Sequence, residues 1–304
     1  MRFILLFFIA AQSLIAFAQP ASTEDSRDSV FTRCKLLDNP GFTYRLEAQE
    51  YITNENDFFL DVTNDTQYLH FIRTGPLQFD MHYSADEAGK HTLKTTDSLR
   101  KMHYKLRFSP AGKVVELVNW EDFRDVIISG LSAQVRAGLL TSSDFQDRIK
   151  VINKENIMRR IAMEDINYLF ALYGDTVIVD AEYIRVKPVR SPFTGEDVYI
   201  TGNMKVEKPP GTKNTILMNA KNQAGPAEKP LLLQDCKEYR KQNAPEDQPL
   251  TEITSVGLNS EQAYQYNRAQ QQMVKVTFSD VLAINMQSRG NIRIYTLWDI
   301  KDKK

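Results

Sequence analysis

Two kinds of hydrophobic spacing alternate along this chain, and their order predicts its architecture. From Thr43 to Val118 several segments alternate apolar and polar residues with period two. In Leu77-Gln78-Phe79-Asp80-Met81-His82-Tyr83, the apolar members share one face and Gln78, Asp80 and His82 the other. That period belongs to strands with one wet face. From Trp120 to Tyr173 the spacing becomes helical: Phe123, Ile127, Leu131, Val135 and Leu139 form one row, and Ile157, Ile161, Ile166, Leu169 and Phe170 another. Two long helices and a shorter one between them are expected, stopping at Gly174. Alternation returns between Thr176 and Ile300, as in "TVIVDAEYIRV", "NTILMNAK" and "NIRIYTLWDI". Strands, helices, strands is the order of an α+β fold: a largely antiparallel curved sheet or sheets with a central three-helix insert.

Local signals sharpen this outline. Ser109-Pro110-Ala111-Gly112 reads as a type I turn, with Pro fixing φ and Gly closing a bulge. Pairing Ser109 with Lys113 sets Phe108 opposite Val114, Leu106 opposite Glu116, Tyr104 opposite Val118 and Met102 opposite Trp120. Asn119 is a good helix cap, followed by Glu121 and Asp122 where the macrodipole favours acids. Ser142 or Ser143 caps the next helix, Ser288 to Asn291 reads as a hairpin turn, and a further helix is expected near Leu231–Lys241.

The beginning of the chain is of another kind. Arg2 precedes an apolar stretch from Phe3 to Phe17, interrupted by Gln12 and Ser13 and ending in Ala16-Phe17-Ala18. This is the layout of a secretory signal peptide over residues 1–18, cleaved after Ala18. It is shorter than the roughly 20 residues that span a bilayer, and no later segment reaches that length, so no integral membrane segment is expected after cleavage. Residues 19–42 read as a flexible lead, 43–118 as a first β-rich block, 119–174 as the helical block and 175–304 as a second β-rich block. Residues 43–304 are expected to form one compact unit.

Composition narrows the function classes. The 304 residues carry 38 Lys and Arg against 39 Asp and Glu, a formal net charge of −1, which gives no electrostatic footprint for nucleic acid. Nucleophile elbow, P-loop, dinucleotide and HExxH signatures are absent, so no catalytic residue and no cofactor are assigned. The four histidines, His70, His82, His91 and His103, lack ligand spacing, and no metal site is expected. Cys34 and Cys236 either pair after export or remain thiols, because spacing alone does not settle their separation. Aromatic residues are the one surplus. Tyr104, Phe108, Trp120 and Phe123 should gather at the hairpin–helix corner, as core or as the lining of an apolar groove.

The signal "MRFILLFFIAAQSLIAFAQ" and the pattern "YKLRFSPAGKVVELVNWEDF" resemble those of uncharacterised exported β-rich proteins of Bacteroidota-type bacteria. The resemblance implies a periplasmic or secreted location and supplies no catalytic residues. The expectation is a non-enzymatic cell-envelope protein that binds or builds, holding a hydrophobic small molecule between sheet and helices or meeting another envelope protein. The alternative is a secreted, glycosidase-like hydrolase whose acids are dispersed over distant strands.

Overall fold

Alternation of apolar and polar side chains is realised as thirteen strands in the computed structural model, which describes residues 28–53, 59–91, 93, 97–191, 193, 197–243, 252–285 and 287–301. The expected signal peptide, with its cleavage point after Ala18, lies outside the described residues. A first short strand, β1 (Ser29–Phe31), is followed by β2 (Gly41–Thr53), β3 (Phe59–Gly75), β4 (Gln78–Ser84), β5 (Tyr104–Phe108) and β6 (Val114–Leu117). Then come helices α1 (Trp120–Arg136), α2 (Ser142–Ile152), α3 (Glu155–Ala162) and α4 (Glu164–Phe170). The second half holds β7 (Thr176–Ile178), β8 (Ala181–Arg190), β9 (Asp197–Glu207), β10 (Thr215–Ala224), α5 (Glu228–Asn243), β11 (Val256–Asn267), β12 (Gln272–Ile284) and β13 (Gln287–Lys301).

Both strand blocks belong to one sheet. Eleven strands lie in the order β6-β5-β4-β3-β2-β13-β12-β11-β10-β9-β8, every neighbouring pair antiparallel, and the sheet stays open between β6 and β8. The junction of the two blocks is the long pairing of β2 with β13, running from Gly41–Lys301 to Thr53–Ser288. β1 pairs with β7 in a separate two-stranded ribbon.

One face of this sheet, here the inner face, is packed under α1–α4. Phe42, Tyr44 and Leu46 of β2, Leu69 and Phe71 of β3, and Phe79 and Met81 of β4 meet Phe170, Ile166 and Leu169 of α4 in one buried cluster. Phe170 touches Phe42, Phe71 and Phe108 edge-on. A second, smaller cluster lies beyond it on the same sheet, where Leu232 and Cys236 of α5 cover Ile200, Ala224, Val256 and Leu258.

Several expectations change. The helical block contains four helices rather than three, because the chain breaks at Asn153–Lys154 and turns again at Met163. Residues 29–42 are no flexible lead: Val30, Cys34, Leu36 and Leu37 are buried in the main cluster, and Thr32 hydrogen-bonds the backbone of Asp175. Ser109 does face Lys113 across a turn whose Gly112 takes φ +107°. Beyond Phe108–Val114, however, Val115 bulges out, so Glu116 pairs with Arg107 and Leu117 with Leu106. The bulge turns Leu117 into the core and leaves Val115 and Val118 exposed. Asn119 spends its side chain on β5, accepting from the Lys105 N–H and donating to the His103 carbonyl, instead of capping α1. Thr141, not Ser142 or Ser143, caps α2 through its hydroxyl. Ser288 to Asn291 lie inside β13, and the reversal from β12 occurs earlier, where Asn285 has φ +53°.

Candidate functional site

Each directly paired set of residues in an antiparallel sheet shares one face, so the register defines rows of side chains crossing the strands. Three rows on the inner face matter here. Leu46, Tyr295, Val276, Tyr264, Met218 and Val206 form an apolar row over β2, β13, β12, β11, β10 and β9. Two rows further along, the paired residues are Thr63, Glu50, Asn291, Asp280, Ser260, Asn222, Gly202 and Arg185, from β3 through to β8. The next row returns to Ile52, Arg289, Leu282, Leu258, Ala224 and Ile200. A polar stripe therefore separates the two hydrophobic clusters.

A cleft of about 410 Å³ opens at one end of this stripe. Ala48 and Glu50 of β2, Thr63, Asp65 and Gln67 of β3, and Asn291 and Arg293 of β13 form its floor, while Asp97 and Arg100 close it from the turn before β5. A smaller cavity of about 110 Å³ shares Asp97, Arg100 and Arg293 with it and reaches Tyr83, Tyr104 and Asp165 under α3 and α4.

Asp165 organises the junction. Its carboxylate, with 7% of the side chain exposed, receives Arg100 Nη2 at 3.1 Å, Arg293 Nη1 and the Tyr83 hydroxyl at 3.3 Å. Arg100 also donates to Gln67 Oε1 at 3.2 Å and lies over the Tyr83 ring. Burial, the largest influence, lowers the Arg100 pKa, but Asp165 together with Tyr83 and Tyr295 raises it above its ordinary value. Burial first, and Asp165 second, push the Tyr83 and Tyr295 hydroxyls well above the usual tyrosine range, so both stay protonated donors. The arginines are thus held by a buried anion, leaving Glu50, Asp65 and Asp97 as the carboxylates of the open cleft.

Further along the stripe, buried acceptor atoms stand without protein partners. Ser260 is 1% exposed and Asn222 5%, yet neither Ser260 Oγ nor Asn222 Oδ1 is hydrogen-bonded, and Asn291 Oδ1 is likewise unmatched. A buried polar atom left unsatisfied costs about 1–3 kcal/mol, so such atoms concentrate where something else supplies the bond. A broader groove of about 1120 Å³ lies on the opposite face of the same strands, walled by Asn203, Lys221, Glu261 and Tyr51.

The aromatic corner expected from the sequence lies elsewhere and is filled. Tyr104, Phe108 and Phe123 are buried core residues, with Tyr104 and Phe123 rings 4.5 Å apart. Trp120 is half-buried against the same cluster, with the Arg124 guanidinium over its ring. Only Tyr104 of the four borders one of these three cavities. Cys34 and Cys236 are buried free thiols in different clusters, so of the two alternatives left open by the sequence the structure shows the unpaired one. Among the described residues no group of three or more His, Cys, Asp or Glu is placed to hold a metal ion. His70, His82 and His103 instead stack on the opposite face, with ring centroids 5.0 and 5.3 Å apart.

The residues of the cleft escaped sequence reasoning because they come from four distant segments. The available signal was weak: Gln67, Arg100, Asp165 and Arg293 are polar residues inside otherwise well-patterned elements.

No protein-family profile and no curated protein matches this chain. Among solved structures, one similar chain comes from work on lipid–protein interactions in lipovitellin, at 8% identity and a TM-score of 0.38. That alignment covers 87% of this chain and 26% of the other. So low a TM-score carries no argument about function.

Proposed function

We propose that this is an exported, non-catalytic binding protein that holds an amphiphile on the inner face of its open sheet. The polar end of the ligand enters the 410 Å³ cleft between β2, β3, β13 and the Asp97–Arg100 turn. Its apolar part lies along Ile52, Leu282 and Ile284. Ile52 is 38% exposed, and Leu282 and Ile284 are only partly covered by the α5 cluster. Ile52 stands two residues beyond Glu50, about 7 Å along the strand, so the polar cleft adjoins the apolar positions, with Arg289 of β13 between Ile52 and Leu282. That adjacency is the observation that carries the reading. On this reading the hydrophobic ligand expected from the sequence lies at the mouth of the fold rather than in its aromatic corner, where side chains already fill the space.

Native mass spectrometry of the gently purified protein tests this reading. The expected spectrum shows a polypeptide lacking residues 1–18 with a co-purifying lipid-sized adduct that organic extraction removes. A bare polypeptide that also fails to take up added amphiphile would contradict it. The rival reading, a hydrolase with dispersed acids, draws on Glu50, Asp65 and Asp97, which reach one cleft from three segments. Turnover of a glycoside panel that disappears in Asp97→Asn would replace binding by catalysis.

A further inference from the structure

Resting on the binding reading above, we infer that the ligand's polar end is a neutral, hydroxyl-rich group, such as a sugar or polyol, read by the polar stripe. Three properties of the stripe point there. First, the stripe holds the buried oxygens Asn291 Oδ1, Ser260 Oγ and Asn222 Oδ1 without protein hydrogen bonds, with the Asp280 carboxylate on β12 between the first two. They lie on β13, β11 and β10, and adjacent strands are about 4.8 Å apart, so they present an array rather than a single point. An array of acceptors calls for several donors on one ligand.

Second, the charges at the ends of the stripe disfavour an ion of either sign. At the cleft end Glu50, Asp65 and Asp97 accompany Arg100 and Arg293, which are both engaged by Asp165, Arg100 also standing 3.6 Å from Asp97; Arg289 of the next row stands 3.8 Å from Glu50, and Asp280 adds a carboxylate in mid-stripe. An anionic head would meet surplus carboxylate there. At the far end the stripe terminates in Arg185, directly across from Gly202, which opposes a cation. Third, hydroxyls donate to bare oxygens and accept from guanidinium groups without carrying charge, so one chemistry suits both ends. The cleft at Asn291 opens the stripe at one end, and Ser260 and Asn222 continue the row from it beneath the surface.

Calorimetric titration of the full-length protein with octyl glucoside, octylamine, octanoate and free glucose tests the inference, alongside Ser260→Ala and Asn222→Leu. Octyl glucoside should bind at least about tenfold more tightly than octylamine or octanoate, and each substitution should erase that preference. Because neither oxygen has a protein partner, Ser260→Ala should raise Tm or leave it unchanged while binding is lost, a result that a merely structural serine would not give. Free glucose binding as tightly as octyl glucoside would uphold the hydroxyl-reading stripe and overturn the amphiphile reading. Equal or stronger binding of octylamine or octanoate would overturn the stripe's role and leave the amphiphile reading standing. No binding by any probe, or a preference unchanged in both variants, would overturn the inference.

Discussion

Asp165→Asn is the sharpest probe of the cleft's foundations. The wild-type carboxylate, nearly closed off from solvent, sits between Arg100 and Arg293, whose side chains are 19% and 16% exposed. The amide keeps the size and one carbonyl acceptor but loses the charge, so two largely desolvated guanidinium groups are left facing each other. Breaking a buried ion pair from one side costs about 3–5 kcal/mol. Entry of water from the adjoining cleft relieves part of this, which places the expected loss near the lower bound, about 3 kcal/mol. Set against the roughly 5–15 kcal/mol that holds a typical domain together, that is a large fraction. Urea denaturation at neutral pH should show a lower midpoint with an unchanged m-value. A double-mutant cycle with Arg293→Gln should return a coupling of about 1–3 kcal/mol. A loss under about 1 kcal/mol, or strict additivity with Arg293→Gln, would mean that this cluster is solvated and does not organise the cleft.

Gly112→Ala should destabilise by at least about 2 kcal/mol in thermal unfolding, since φ is +107° and a Cβ would fall 2.2 Å from that of Cys34; a neutral substitution would refute the packing of the turn against the amino-terminal segment. His70 and His82 both have pKa values lowered from 6.5, by burial first, so they favour the folded state while neutral. That contribution is complete above the unfolded value and is lost as pH falls through the folded one, so Tm should drop on acidification below about pH 6.5, less steeply in His82→Gln; identical profiles would contradict it. Burial pushes the Cys34 thiol up to about 12, so maleimide should label it only on unfolding, and mobility should be the same on reducing and non-reducing gels; rapid native labelling or a mobility shift would show otherwise.

Much of the scaffold was legible in the chain because each strand carries its own evidence. Phe79, Met81 and Tyr83 alternate with polar neighbours and are indeed buried together. The α1 row holds at Phe123, Ile127 and Leu131 but fails at Leu139, which stands exposed after the helix has ended at Arg136. The bulge at Val115 was invisible, since an alternating pattern cannot show an inserted residue until the partner strand is known. For the same reason the polar stripe could not be read. Asn222, Ser260 and Asn291 become neighbours only through three strand pairings, and each looks like an ordinary polar position in its own strand. Trp120 and Tyr104 attracted notice by size, whereas the cleft is built from residues whose distinction is the company they keep.

A ligand seated in the inner cleft should be displaced by a side chain that fills the same space. Ala48 lines the cleft floor opposite Arg293, with open volume above it. Titration of Ala48→Phe with octyl glucoside, on protein whose circular dichroism and Tm match the wild type, should show binding weakened at least about tenfold. An unchanged dissociation constant in that correctly folded variant would contradict ligand binding in the cleft.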